Sequence, residues 1–386
     1  MSPTAPPALP AISMVAPHSA PRVLTLDGLR GTAVLLVLAH HYIVLSPLLS
    51  APFGTAPAYL RAALYLPTAA GVDLFFVLSG FLVGGILLDY RQSPQLLPTF
   101  YLRRFVRIVP LAWLCISVVF VVGLITGLPA LEGPAGWWPY YTFTVNFSLA
   151  AHGNWWMSWL TPLWSVAIEE QFYLLLPLVV RIWPEGRLAW LGPALIAFAW
   201  LARAAVLLAS PGAYFACHVL TPCRLDAFRC GFTAAWLVRS HLWPAWQRLG
   251  CWRWLLLAPP AAACAALCVR RNNSLALASW GYTAIAVFDG LLLLLLYEPA
   301  QSWMRKVFSS PVLRTYGKYS YFIYLFQVML VGPVLGILFH GSWRAPAPTT
   351  VFETLIAFVL PLPLAWASWR WFEEPLLGLG RRRSYA

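Results

Sequence analysis

The sequence predicts an all-α fold, a polytopic bundle of about ten transmembrane helices with both termini in the cytoplasm. Of the 386 residues, 60% are hydrophobic and only 10% are charged, whereas a soluble domain carries about 25% charged residues. Such a deficit cannot be accommodated on a water-facing surface, so most of the surface must face lipid. The 21 tryptophans are typical of a chain with many membrane–water interfaces, where indole rings are enriched.

Ten apolar segments are long enough to span a membrane, since a spanning helix needs about 20 mostly apolar residues. They lie at residues 24–46, 71–90, 105–127, 165–184, 188–209, 224–240, 254–270, 275–297, 316–340 and 351–372. Arginine and lysine are concentrated in the links that follow the second, fourth, sixth and eighth segments and at the C-terminus. Because basic residues are enriched in cytoplasmic loops, this distribution places both termini in the cytoplasm, as an even number of spans requires.

The chain is predicted to form one membrane domain, residues 23–376, between two short cytoplasmic tails. Residues 1–22 are rich in proline and lack a continuous apolar core, which indicates a disordered tail rather than a signal peptide. Residues 377–386 form a basic tail. The longest outer connection, around 128–164, is rich in tryptophan and tyrosine, so we expect it to pack on the outer membrane face, where a short re-entrant helix would fit.

Composition also excludes a nucleic-acid partner and a metal site. Basic residues outnumber acidic ones by 26 to 13, but they are scattered between apolar runs rather than clustered on one soluble face. The seven cysteines include no pair of CxxC motifs, so we expect no metal. Cys217 and Cys223 flank a short outer loop, and the sequence leaves open whether they form a disulfide.

The first apolar segment carries two ionisable residues on one face. Ionisable groups inside membrane spans are costly and therefore indicate function. Arg30 and His41 differ by about 20° in azimuth and by about 16 Å along the helix axis. Arg30 lies near the cytoplasmic end and His41 toward the outer end, while His40 points away. The alternative is that Arg30 and His41 simply occupy the two membrane interfaces.

The second segment begins GVDLFFVLSGFLVGG and places Asp73 at the depth of His41. Asp73 could orient the His41 imidazole, as a carboxylate does for a catalytic base, or stabilise the N-terminus of its own helix. The sequence does not decide between these two roles. The small residues of this segment are interpreted as sites of close helix packing: Ser79, Gly80, Gly84 and Gly85.

Arg103, Arg104 and Arg107 form a cluster on the cytoplasmic side of the third segment. Guanidinium groups suit bidentate phosphate binding. The positive-inside rule also explains such a cluster, so by itself it is weak evidence for a phosphate-rich ligand.

A second polar cluster is predicted near the outer leaflet. Ser165, Glu169 and Tyr173 recur at intervals of four in the fourth segment, so they share one helix face. Arg224 and Asp226 open the sixth segment at the same outer level. The arrangement indicates a donor that enters from the cytoplasm and an acceptor that is met near the other side.

Seven motifs, in order, resemble the acyltransferase-3 family of integral membrane acyltransferases. They are LDGLRG with the spacing from Arg30 to His41, GVDLFFVLSGFL, FYLRRFVRIVP, WSVAIEEQFYLLLP, RLDAFRCGF, YGKYSYFIYLF and RWFEEPL. Each motif alone is weak, but seven in sequence between residues 24 and 376 are specific.

The resemblance implies about ten spans, an acyl-coenzyme A donor, usually acetyl-CoA, and O-acylation of a sugar. It implies that His41 is the catalytic base, that Ser165 and Glu169 belong to the site, and that the donor is bound by Arg30, Arg103, Arg104 and Arg107. With the geometry above, the expected catalytic residues are His41, Glu169 and Asp73. The expected substrate-binding residues are Ser165, Tyr173, Arg224, Asp226 and Gln327.

Gln327 departs from the family pattern. Members often read YLxH where this chain has Tyr324 to Gln327. Glutamine does not titrate, so an acid–base role is lost there while a hydrogen-bonding or substrate-lining role remains. The extracytoplasmic esterase-like domain that is fused to some relatives is absent, so we expect the chain to act alone or with separate partners.

The expected reaction is direct acyl transfer at the bacterial cytoplasmic (inner) membrane. His41 deprotonates a sugar hydroxyl of a surface glycan or glycolipid, such as lipopolysaccharide. The resulting alkoxide attacks the thioester carbonyl and releases coenzyme A. Two alternatives stay open: the acceptor is a glycosylated small molecule such as a macrolide, or the chain is a transporter of a glycan or anion. The sequence does not identify the acylated hydroxyl, the acyl chain length, a covalent intermediate or a homo-oligomer.

Overall fold

The computed structural model describes residues 23–46, 55–126, 136–155, 159–184, 187–269, 274–298, 303–340 and 350–385. The predicted tail at 1–22 lies outside the described residues, as do parts of the predicted outer connection.

The regular structure of the described residues is helical. The helices are α1 (Leu24–Ala39), α2 (Thr55–Ala69), α3 (Gly71–Asp89), α4 (Leu96–Thr126), α5 (Trp138–Tyr141), α6 (Val145–His152), α7 (Leu163–Ile182), α8 (Leu188–Ala209), α9 (Tyr214–Val219), α10 (Leu225–Arg239), α11 (Trp243–Arg248), α12 (Ala258–Val269), α13 (Ser274–Ala276), α14 (Tyr282–Tyr297), α15 (Trp303–Phe308), α16 (Pro311–His340), α17 (Val351–Val359), α18 (Pro361–Ser368) and α19 (Glu374–Arg381). Segments of π-helix continue α1, precede α14 and follow α18, at His40–Val44, Leu277–Gly281 and Trp369–Glu373. Segments of 3-10 helix lead into α10 and α12, at Thr221–Arg224 and Gly250–Leu257.

The predicted all-α membrane fold is confirmed. Among the described residues, eight helical stretches are long and apolar enough to cross a membrane: Ala63–Asp89, Leu96–Ile125, Leu163–Ile182, Leu188–Ala209, Gly250–Cys268, Leu277–Tyr297, Pro311–Phe339 and Val351–Arg381. They correspond to eight of the ten predicted segments. The first and sixth predicted segments form α1, which its π-helical turn extends to Val44, and α10, and neither is among these eight stretches. The count of ten and the cytoplasmic position of both termini stay predictions.

Helices α1 and α10 lie inside the bundle. Helix α1 packs against α3 and α16, and α10 packs against α3, α8 and α14. In α1, Leu29, Ala33, Val34 and Leu38 have no exposed surface. Because their neighbours shield them from lipid, these two helices can carry polar groups at a lower cost than a lipid-facing helix.

Glycines allow the central helices to approach closely. A Cβ atom at Gly31 would overlap the carbonyl oxygen of Leu313 on α16. On α3, a Cβ atom at Gly80 would overlap the carbonyl oxygen of Phe228 on α10. The interpretation of Gly80 as a packing residue is therefore confirmed, and the small residues bring backbones together as they do in membrane helix pairs generally.

Replacing Gly80 by alanine should destabilise the protein by about 1–3 kcal/mol, because the added methyl group forces α3 and α10 apart. The midpoint of thermal unfolding in detergent would measure the effect. The matched control is Gly378→Ala on α19, where an added Cβ atom meets no atom within 4 Å. Equal midpoints for the two variants would contradict the close packing of α3 on α10.

The described part of the predicted outer connection packs on the bundle, and its position on the outer membrane face stays a prediction. It forms α5 and α6, and Asn146 on α6 has no exposed surface. The Asn146 Nδ2 atom donates to the Val219 carbonyl at 3.2 Å and to Thr221 Oγ1 at 3.1 Å. Nearby, Cys217 and Cys223 are buried free thiols, so the disulfide that the sequence left open is not formed.

The segment predicted as a C-terminal tail continues from the last helix and docks on α4 and the turn before it. Thr99 Oγ1 donates to the Ser384 carbonyl at 3.0 Å, and Ser93 Oγ donates to the Tyr385 carbonyl at 2.5 Å. The Tyr385 ring stacks on Tyr90 with 4.8 Å between centroids. This end of the chain therefore forms part of the wall around the site described next.

Candidate active site

Two adjoining cavities lie inside the bundle. The larger one, which we call the vestibule, has a volume of about 390 Å³ and is lined by α1, α4, α16 and the C-terminal segment. Its basic residues are Arg30, Arg103, Arg104, Arg107, Lys318 and Arg381. The smaller one, the inner chamber, has a volume of about 80 Å³ and is lined by α1, α3, α4, α7 and α16. Arg30, Arg104 and Arg107 line both cavities and therefore stand where the two meet.

We call these three arginines the neck arginines; Asp27 in the vestibule and Glu169 in the chamber are the carboxylates that line the two cavities with them. None of the three guanidinium groups forms an ion pair or a hydrogen bond with a residue that the structure describes. Arg104 lies over the ring of Tyr173, at 5.1 Å from the centroid. Like charges that lie close together repel one another, so the neck arginines favour binding of an anion. Their planar groups suit the oxygen atoms of a phosphate.

A chain of hydroxyl groups leads to a carboxylate in the inner chamber. The Tyr173 hydroxyl donates to Ser79 Oγ at 2.8 Å, and Ser79 Oγ donates to Glu169 Oε1 at 2.8 Å. Ser165 also lines the chamber, where its Oγ lies 2.5 Å from the Tyr324 hydroxyl and donates to the Pro162 carbonyl at 3.1 Å. The chamber thus combines a carboxylate, hydroxyl groups and the neck arginines.

The predicted face of α7 is found in this chamber. Ser165, Glu169 and Tyr173 all line it, as their spacing of four residues predicts. Ser79 was interpreted only as a packing residue, and the structure adds it to the polar cluster. The available signal was that Ser79 is the single hydroxyl-bearing residue of α3, a helix that is otherwise apolar apart from its terminal aspartates.

His41 lies outside the lining of the chamber. It occupies the π-helical turn that follows α1, a geometry frequent at functional sites. Its Nδ1 atom lies 2.9 Å from the Val37 carbonyl. A carbonyl only accepts, so Nδ1 carries the proton in this assignment and Nε2 keeps a lone pair in the neutral ring. His41 does not line the chamber, but Val37 packs near Gly71, which precedes the chamber residue Val72.

Asp73 has a different partner from the one first considered. Arg224 Nη2 donates to Asp73 Oδ1 at 2.5 Å, whereas His41 bonds the backbone, so the structure gives Asp73 no orienting contact with the imidazole. Asp73 does lie in the first turn of α3, where a negative charge is favourable. The Arg224 guanidinium also lies over the Tyr282 ring, 3.8 Å from its centroid.

Asp226 is held by a second buried ion pair that the sequence did not reveal. Arg203 Nη1 donates to Asp226 Oδ2 at 2.9 Å and to the Cys223 carbonyl at 2.7 Å. Thr283 Oγ1 donates to the same carboxylate oxygen at 2.7 Å. Neither Arg224 nor Asp226, both expected to bind substrate, lines the vestibule or the chamber. Their contacts are those of residues that join helices.

Arg103 and Gln327 complete the predicted set. Arg103 lines the vestibule, but its guanidinium donates to the Gly380 carbonyl at 3.2 Å and to the Arg383 carbonyl at 2.5 Å. It therefore anchors the C-terminal segment and is less free for a ligand than the neck arginines. Gln327 has no exposed surface, and neither polar atom of its amide has a partner among the described residues.

Known proteins with related sequences carry acetyltransferase names. The chain is 28% identical over 398 residues to the peptidoglycan O-acetyltransferase OatA of Listeria monocytogenes, a match that covers 93% of this chain and 56% of that protein. It is 33% identical over 174 residues to the O-acetyltransferase OatA of Staphylococcus aureus, covering 42% of this chain and 25% of the relative. The chain thus spans about half the length of the Listeria relative. No solved structure matches it.

The acyltransferase domain family matches residues 23–370. This match includes the neck arginines, Ser79, Glu169 and His41, and it covers most of the 386 residues. With its helices long enough to cross a membrane, the chain is a multi-pass membrane protein that belongs to the acyltransferase-3 family.

Proposed function

We propose that the protein transfers an acetyl group from acetyl-CoA to a sugar hydroxyl of a surface glycan or glycolipid at the bacterial cytoplasmic membrane. The observation that carries the proposal is the set of three neck arginines between the vestibule and the chamber, none of which is ion-paired with a described residue. Coenzyme A carries several phosphates, and these are the anions that guanidinium groups bind best. The vestibule, at about 390 Å³, falls within the size range of ligand pockets.

The size of the inner chamber favours a short acyl group. Its volume is about 80 Å³, against about 390 Å³ for the vestibule. A thioester that reaches the chamber from the vestibule would bring its carbonyl carbon beside Ser79 and Glu169. A two-carbon acyl group fits this space better than a long chain.

The acceptor is proposed from the relatives. The Listeria relative is named a peptidoglycan O-acetyltransferase, so a glycan hydroxyl is favoured over a glycosylated small molecule. We place the acceptor at the outer end of the chamber, where the lone pair of His41 Nε2 can take its proton. A neutral imidazole is matched to such base work near neutral pH.

Binding of acetyl-CoA to the purified protein in detergent tests the donor. Arg104→Gln should weaken binding by about 1.5–3 kcal/mol, the value of hydrogen bonds to charged groups, or roughly tenfold to 150-fold in Kd. Arg248→Gln on α11, outside both cavities, is the matched control and should bind like the wild type. If calorimetry detects no binding of acetyl-CoA to the wild-type protein, the proposed donor is wrong.

A further inference from the structure

Ser79 is the hydroxyl of the chamber whose proton points at a base. The Tyr173 hydroxyl donates to Ser79 Oγ, and this leaves the Ser79 proton for Glu169. The distance from Ser79 Oγ to Glu169 Oε1 is 2.8 Å, which is within the reach required of a nucleophile and its general base. Ser79 therefore has the arrangement of an activated serine.

The other serine bonded in the chamber lacks this arrangement. Ser165 Oγ donates to the Pro162 carbonyl, an amide oxygen that does not take up a proton at neutral pH. Ser79, in contrast, faces a carboxylate. The neck arginines line the same chamber and supply positive charge for an oxyanion that forms beside Ser79.

We propose that Ser79 is the nucleophile that carries the acyl group between donor and acceptor. The inference deepens the proposed function and rests on it. Ser79 Oγ attacks the thioester carbonyl while its proton moves to Glu169, the carbon–sulfur bond breaks, and Glu169 passes the proton to the departing sulfur. The products of this step are acetyl-Ser79 and free coenzyme A, with Glu169 again a carboxylate.

The second step transfers the acyl group to the acceptor. The acceptor hydroxyl gives its proton to His41 and attacks the ester carbonyl, and the bond between that carbon and Ser79 Oγ breaks. Ser79 takes one proton from water and His41 returns one to water, so the protons balance. A covalent carrier in the chamber lets coenzyme A leave before the acceptor hydroxyl enters.

The test is acetylation of the full chain by radiolabelled acetyl-CoA without any acceptor. After rapid acid quenching, we expect one acetyl group on the peptide that contains Ser79, released by hydroxylamine as an ester is. Ser79→Ala should still bind acetyl-CoA but carry no label, and Glu169→Gln should slow labelling by about 10²–10⁴-fold, the usual contribution of a general base. Ser117→Ala, on α4 outside both cavities, is the control that should label normally.

Two results would overturn the inference. If wild-type protein acetylates an acceptor but never carries label itself under rapid quenching, transfer is direct and the proposed function stands without Ser79. If the label lies on Ser165 or another residue, Ser79 is not the carrier. Failure of the wild type to bind acetyl-CoA would instead remove the proposed donor. Should Ser79→Ala not fold, Ser79→Cys keeps the test open, because its label would be a thioester at the same position.

Discussion

Replacing Arg224 by methionine should destabilise the protein by about 3–5 kcal/mol, because it leaves the Asp73 carboxylate buried without its partner. Arg224 has no exposed surface, and Asp73 is 4% exposed. The pair joins the 3-10 segment before α10 to the start of α3, and the Tyr282 ring covers the other side of the guanidinium. The midpoint of thermal unfolding in detergent, followed by circular dichroism, would measure this loss.

The matched control is an exposed arginine–aspartate pair between α10 and α3. Arg239 Nε lies 2.6 Å from Asp89 Oδ1, but the two side chains are 33% and 40% exposed. Arg239→Met should therefore cost less than about 1 kcal/mol, as exposed pairs do. Adding Asp73→Asn to Arg224→Met should recover part of the stability, because no buried charge is then left alone. Equal losses for Arg224→Met and Arg239→Met would contradict a structural role for the buried pair.

The fold was predictable from the sequence because a lipid environment restricts the choices. Once lipid surrounds the chain, the apolar segments must be helices, and eight of the ten predicted spans are found. The two that are not among these eight stretches form α1 and α10, which carry the charged residues Asp27 and Arg30, and Asp226 and Arg229, inside the bundle. Their burial by α3, α14 and α16 is a tertiary property, and hydropathy along the chain does not report it.

The site was predictable only within one helix. The spacing of Ser165, Glu169 and Tyr173 follows from helical periodicity, and the three residues line the inner chamber. The sequence did not identify partners on different helices: it left Asp73 open between His41 and its own helix N-terminus, and the structure pairs it with Arg224. The bond from Ser79 to Glu169 joins residues 90 positions apart, which no local pattern encodes.

Replacing His41 by alanine should lower acetyl transfer to an acceptor by about 10²–10⁴-fold, the usual contribution of a positioned general base. The physical reason is the free Nε2 lone pair, which the bond from Nδ1 to the Val37 carbonyl leaves available. The measurement is transfer of radiolabelled acetyl from acetyl-CoA to a soluble peptidoglycan fragment by the purified full chain in lipid vesicles. Binding of acetyl-CoA should be unchanged, because His41 lines neither the vestibule nor the chamber.

His40 provides the matched control for this measurement. It precedes His41 in the same π-helical turn, but its Nδ1 atom bonds Thr68 Oγ1 at 3.0 Å and its ring packs against Tyr65. His40→Ala should therefore keep most of the transfer activity. His41→Ala should also separate acylation of Ser79 from transfer to the acceptor. Label should enter the protein at Ser79 and stay there, because the acceptor hydroxyl is no longer deprotonated. Transfer by His41→Ala close to that of the wild type would show that another group removes the acceptor proton, and Glu169 would then be the remaining base of the chamber.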